Sequence, residues 1–98
     1  MGSQDTENGF TKVPNEILEA LAVIGLRSYE MRLVLFIIRK TYGWHKKKDW
    51  ISLSQLSEGT FISKPNVCRT IRQLVSRNLI VRGRNKHVGL NRDCTTWI

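Results

Sequence analysis

Between Ser52 and Arg77 the chain reads SLSQLSEGTFISKPNVCRTIRQLVSR, and two helix starts so close together leave few folds open. Ser52 and Gln55 have capping-box spacing: the hydroxyl can take the amide three residues on while the Gln side chain reaches back. Leu53 and Leu56 give the short helix that follows a buried side. A tight turn is expected from Gly59 to Ile62. Ser63 then opens a longer helix in which Val67, Ile71 and Leu74 recur at spacings of four and three, with Thr70 small enough to sit among them. The pattern is that of a helix-turn-helix.

Half a revolution away, at about 3.6 residues per turn, lie Pro65, Cys68, Arg69, Arg72, Gln73 and Ser76, a cationic and hydrogen-bonding side. From Gly59 to Arg92 the chain carries Lys64, Arg69, Arg72, Arg77, Arg82, Arg84, Lys86 and Arg92, and no Asp or Glu. A basic helix face is often only a solvated one. Here it coincides with the second helix of a two-helix motif and continues into an acid-free hairpin, which points to a DNA-reading surface.

The formal charge of +8 understates the local field, because Asp5, Glu7, Glu16, Glu19 and Glu30 all lie in the first 30 residues. From Met31 onward fourteen basic residues face three acidic ones. That balance favours nucleic acid over an acidic protein partner or a membrane surface. A chain of 98 residues with 41% apolar content builds one modest core. No apolar run reaches the roughly 18–20 residues that span a bilayer. The start, MGSQDTENG, is unlike a secretory signal, so a cytoplasmic protein is expected. Cys68 and Cys94 read as free thiols, and with His45 and His87 they have no zinc-finger spacing, so neither metal nor cofactor is expected. An enzyme is not expected either, since the chain lacks a Ser-His-Asp arrangement, paired carboxylates in an apolar context and a phosphate-cradling Gly-rich loop.

Residues 1–9 read as a disordered tail and residues 10–98 as a single DNA-binding domain. Phe10 is the first anchor, and Pro14 suits the first turn of a helix whose stripe is Ile17, Leu18, Leu21 and Ile24, ended by Gly25. Ser28 is expected to cap the next helix, with Glu30 in its first turn and Arg39 and Lys40 in its last. Its interior, Met31 to Ile38, is apolar on nearly all sides, as befits a central helix, and Gly43 stops it. Tyr42, Trp44 and Trp50 read as core and hairpin-packing aromatics rather than base-stacking platforms. His45 to Asp49 is a polar turn whose three lysines are open either to a DNA backbone or to solvent, solvent being the commoner outcome. Asp49 to Ser52 is a short strand candidate. Leu79 to Arg82 and Asp93 to Ile98 are β-prone runs flanking a basic turn, Gly83 to Gly89. Such a hairpin after a helix-turn-helix is a wing. The expected fold class is therefore mainly α with a small β-hairpin, a winged helix-turn-helix.

Three segments, Phe10-Thr-Lys-Val-Pro-Asn-Glu-Ile-Leu-Glu-Ala20, Ile38-Arg-Lys-Thr-Tyr-Gly-Trp44 and Ile51-Ser-Leu-Ser-Gln-Leu56, resemble the amino-terminal domain of the bacteriophage replication O proteins, the lambdoid origin-binding initiators. The run Arg39 to Trp44, followed by a basic stretch and Ser-Gln-Leu, is fairly specific to that family, and the likeness extends from Phe10 to Thr96-Trp97-Ile98. The resemblance implies a winged-helix domain that binds repeated sites in a phage replication origin. It also implies that helicase-loading proteins are met only through a carboxy-terminal region lying outside this chain, and that the protein works in the bacterial cytoplasm, associated with the nucleoid. A homodimer on DNA is expected where the repeats have internal symmetry. In one respect the chain departs from the pattern it resembles: it has Phe61 where related turns often place Gly just before the hydrophobic turn residue, and Gly59 stands two residues earlier.

The helix from Ser63 to Arg77 is expected in the major groove, its first turn nearest the bases. Ser63 and the free amides beside it would hold a phosphate. Arg69 is the first choice for base reading, Arg72 and Gln73 are base or backbone contacts, and Asn66 is a further DNA-binding candidate. Lys64 positions rather than specifies. At the hairpin tip Arg84, Asn85, Lys86 and His87 are candidates, with Arg84 drawn to the minor groove. Rival readings are a transcriptional regulator on the same fold and a winged helix that binds protein.

Overall fold

The computed structural model describes residues 9–42 and 50–98. Expectations for residues 1–8 and for Gly43, Trp44 and the His45–Asp49 turn lie outside the described residues. The described chain forms α1 (Asn15–Val23), α2 (Ser28–Tyr42), β1 (Ile51–Ser52), α3 (Leu53–Thr60), α4 (Lys64–Ser76), β2 (Ile80–Arg82) and β3 (His87–Leu90), followed by a 3-10 turn at Cys94–Thr96. It is mainly helical, with one small antiparallel sheet of strand order β1-β3-β2.

Helix α2 is the centre, packed against α3, α4 and β3. Leu33, Val34 and Ile37 are wholly buried, with Ile38 and Thr41 nearly so. Each such aliphatic contributes about 1.5–3 kcal/mol of transfer free energy. The helix is less apolar all round than its sequence implies, because Leu35 is 54% exposed beside the outward Arg32, Arg39 and Lys40. Ser28 is not its cap. The helix starts at Ser28 itself, and the Glu30 carboxylate accepts the Arg27 amide at 2.8 Å while the Met31 amide donates to the Arg27 carbonyl at 2.9 Å. Pro14 likewise stands just before α1 rather than within it, and of that helix's expected stripe Leu18 is half exposed.

The capping box of α3 is complete: the Gln55 amide donates to Ser52 Oγ at 3.1 Å and the Ser52 amide to Gln55 Oε1 at 3.0 Å. Ser52→Ala is expected to cost about 1 kcal/mol in urea unfolding. Gly59 is not in the turn. It lies inside α3, where a β-carbon would stand 2.2 Å from Phe36 Cζ, so its role is to let α2 and α3 approach. The turn residue is Phe61, left-handed at φ 59, ψ 27, a conformation costing a residue with a β-carbon about 1–2 kcal/mol. Two local bonds and one from α2 hold it there: the Phe61 amide donates to the Ser57 carbonyl (3.0 Å), Ser57 Oγ donates to the Ile62 carbonyl (2.6 Å), and Arg32 of α2 donates to the Thr60 carbonyl. Buried Ile62 fixes the turn from within.

Helix α4 buries Val67, Thr70, Ile71 and Leu74, the face its periodicity predicts. It ends in a Schellman arrangement with Asn78 left-handed at φ 64: the Asn78 amide bonds to the Val75 carbonyl and the Leu79 amide to the Leu74 carbonyl, each at 3.0 Å.

The expected return strand is corrected. β2 pairs with His87–Leu90, in the register Ile80 to Leu90 and Arg82 to Val88, and not with Asp93–Ile98. Asn85 and Lys86, at φ 54 and 60, make a tight turn closed by the Gly83 amide on the His87 carbonyl at 2.8 Å. The β-prone residues 93–98 instead fold into the 3-10 turn, with Asp93 Oδ1 accepting the Thr95 amide (3.2 Å) and Thr96 Oγ1 donating to the Asp93 carbonyl (2.8 Å), and are tied to the end of α4 by Asn78 Nδ2 on the Thr96 carbonyl (3.1 Å) and the Ile98 amide on the Arg77 carbonyl (2.8 Å). β1 pairs with β3, Ile51 opposite Val88. The Trp50 ring packs where a Gly83 β-carbon would meet it at 2.7 Å, as expected of a hairpin-packing aromatic.

Candidate nucleic-acid interface

The outward line of α4 consists of Lys64, Pro65, Arg69, Arg72 and Ser76, all exposed. One-sidedness follows from the spacing of the buried residues: with Val67, Ile71 and Leu74 held in the core, residues near the opposite angle have nowhere to go but solvent. Arg69 Nη1 donates to Asn66 Oδ1 at 2.8 Å, one turn earlier, so a neutral amide steadies the guanidinium without cancelling its charge. Among the described residues the ion pair found is Arg77 with Glu30, and neither Arg69 nor Arg72 has a carboxylate within 4.0 Å.

The expected contact residues do not all share this line. Ser63 is the exposed residue before α4, and its side chain makes no capping bond. Asn66 is half-buried on the flank. Gln73 is half-buried and lines a hollow with Gly25, Arg27, Glu30, Ser76 and Arg77, towards the loop between α1 and α2. Arg84, Asn85 and Lys86 are exposed on the β2–β3 turn. His87 is half-buried, and its Nδ1 faces the carbonyls of Asn85 (2.9 Å) and Arg84 (3.2 Å), so this nitrogen carries the hydrogen and the ring secures the turn.

Two cations of the acid-free run are engaged by the protein itself. Arg77 donates from Nε to the Ile98 carbonyl (2.8 Å) and from Nη1 to the Gly25 carbonyl (2.7 Å), and meets Glu30 at 3.5 Å. Arg92 lies 4.4 Å over the Tyr42 ring. Burial pushes the Tyr42 phenol above its ordinary pKa, and the Arg92 charge acts in the opposite sense. Lys64, Arg69, Arg72, Arg82, Arg84 and Lys86 remain exposed. Phe61 is 94% exposed on the turn that leads into α4, and its only signature in sequence is the departure from related turns.

Among the described residues no group of three His, Cys, Asp or Glu is placed to hold a metal, and Cys68 and Cys94 are free thiols. None of the described helices is long and apolar enough to cross a membrane.

Residues 3–97 match the family model for bacteriophage replication protein O. DNA replication protein gp18 of Salmonella phage P22 is 32% identical over 93 residues, which is 95% of this chain and 34% of that protein. Replication protein 15 of Enterobacteria phage phi80 is 35% identical over 97 residues, 96% of this chain and 32% of that protein. Replication protein O of Escherichia phage lambda is 33% identical over 93 residues, 95% of this chain and 28% of that protein. The chain thus spans about a third of the length of these relatives. No solved structure matches it. With nearly every residue inside the matched region, the chain belongs to the bacteriophage replication protein O family.

Proposed function

We propose that this chain is a winged-helix domain that binds double-stranded DNA sequence-specifically, recognising sites in a phage replication origin for an initiator protein. The observation that carries the reading is the outward line of α4, where Arg69 and Arg72 stand exposed and without acidic partners among the described residues. A B-form major groove about 12 Å wide admits one helix with its side chains. Ser63 and the first-turn amides face a phosphate, Arg69 reads a base edge, Arg72 lies a turn further along, and the turn Gly83–Lys86 acts as the wing beside the site. The order α3, turn, α4, then the β2–β3 hairpin supports this assignment, and family membership supports the replication role. The domain acts by binding rather than catalysis, within the host cell. It occupies symmetric repeats as two copies, and helicase-loading partners meet another part of the initiator.

Selection of bound duplexes from a random pool, followed by titrations over a salt range on the selected and a scrambled duplex, tests the reading. Lys64→Ala and Lys86→Ala are each expected to weaken both duplexes alike and to lower the salt slope by about 0.9. Selected sites lying in the phage origin support initiation, and sites confined to promoters would indicate a transcriptional regulator instead. Failure of the unaltered protein to retard any duplex at low ionic strength would overturn the proposal.

A further inference from the structure

We infer that Phe61 is a sequence-reading residue, its ring packing against the C5-methyl group of one thymine at the edge of the site read by α4. The inference rests on the DNA-binding reading above. A left-handed turn position is one that Gly or Asn takes with least strain, yet here it carries a phenylalanine at φ 59. That ring is 94% exposed, the most exposed of the large apolar side chains described, so no packing among the described residues accounts for it. Strain held at a residue that gives the fold no contact in return is a mark of function.

The turn around it is built to be rigid. The Phe61 amide is bonded to the Ser57 carbonyl, the Ser57 hydroxyl closes on the Ile62 carbonyl, and Ile62 is buried at 2% exposure. The ring therefore projects from a fixed base two residues ahead of Ser63, at the end of α4 placed nearest the base edges. Its surroundings suit a nucleic acid: Arg32 donates to the neighbouring Thr60 carbonyl, and Lys64 follows on the other side. The acidic residue nearest in sequence is Glu58, exposed on α3. In the major groove the group that an apolar side chain recognises is the thymine methyl, which no other base presents. An exposed ring at this end of a groove-binding helix would cover that methyl and shield it from water.

Phe61→Asn separates binding from folding, because asparagine accepts the left-handed conformation and the lost ring is not in the core. Its melting temperature is expected to equal or slightly exceed that of the unaltered protein. Its affinity for the selected duplex should fall roughly fivefold, with the salt slope unchanged. Replacing thymines by deoxyuridine one at a time should, at one position, weaken the unaltered protein roughly threefold to fivefold and leave Phe61→Asn unaffected, since the partner of that methyl is already gone. Equal affinity of the two proteins would overturn the inference. So would a loss in Phe61→Asn that no single thymine accounts for, the result expected if the ring met a sugar or another protein. Absence of any duplex binding by the unaltered protein would overturn both this inference and the functional reading it rests on. Binding unaltered by Phe61→Asn would overturn this inference alone.

Discussion

Arg77→Ala is expected to destabilise the protein by about 2–4 kcal/mol, more than any other single replacement of a basic residue, although Arg77 belongs to the same acid-free run as the candidate contacts. Its guanidinium joins three stretches of chain: the Gly25 carbonyl between α1 and α2, the Glu30 carboxylate in the first turn of α2, and the Ile98 carbonyl. The Glu30 side chain is only 5% exposed and Arg77 29%, so removal of the cation leaves a carboxylate inside the protein with the Arg27 amide as its hydrogen-bond donor among the described residues. The cost is dominated by that stranded charge rather than by the pair's own attraction. Glu30→Gln in the Arg77→Ala background should therefore restore part of the loss. A four-protein cycle in urea measures this, and a loss below about 1 kcal/mol for Arg77→Ala would mean that water replaces the guanidinium. Below its unfolding transition, Arg77→Ala should keep the salt slope of DNA binding.

Arg69→Ala carries the largest expected effect on recognition. Under the DNA-binding function proposed above, in which this guanidinium reads a guanine edge, its loss should cost about 1–3 kcal/mol on the selected duplex and much less on a scrambled one. The bond from Arg69 to Asn66 Oδ1 at 2.8 Å adds a second expectation, because it holds the guanidinium in one direction before DNA arrives. Asn66→Ala should lose part of the same discrimination with no change of charge, as ordering of the side chain is then left to the moment of binding. Competition titrations with single-base variants of the selected site give both results. Equal losses on every duplex for Arg69→Ala would make it a backbone contact.

These two arginines look alike in sequence, and their contrast shows where local pattern stops being informative. Arg69 is placed outward because Val67, Ile71 and Leu74, two to five residues away, take the inward face, a spacing that periodicity records. The fate of Arg77 depends on Glu30 and Gly25, 47 and 52 residues distant, a relation with no local signature. The same limit explains Glu30, whose place in a first helical turn is visible in sequence but whose burial against Arg77 is not. The hairpin failed in a different way. β-propensity favours Asp93–Ile98 and leaves His87–Leu90, with its Gly89, looking like part of the turn, yet the pairing went to the segment that a tight left-handed turn could bring back onto β2.

Local residue order was enough to fix the helices of the 52–77 stretch, the capping box at Ser52, the single buried face of α4 and the cationic face opposite, because helix starts and amphipathic faces arise from residues within one or two turns of each other. It also carried the family likeness. It took the packed fold to settle that Gly59 serves the approach of Phe36, that Phe61 bears the left-handed turn with its ring in solvent, and that Arg77 and Arg92 serve the protein's own groups. Each of those outcomes depends on which distant surface arrives alongside, and close packing of elements far apart in the chain is what sets that.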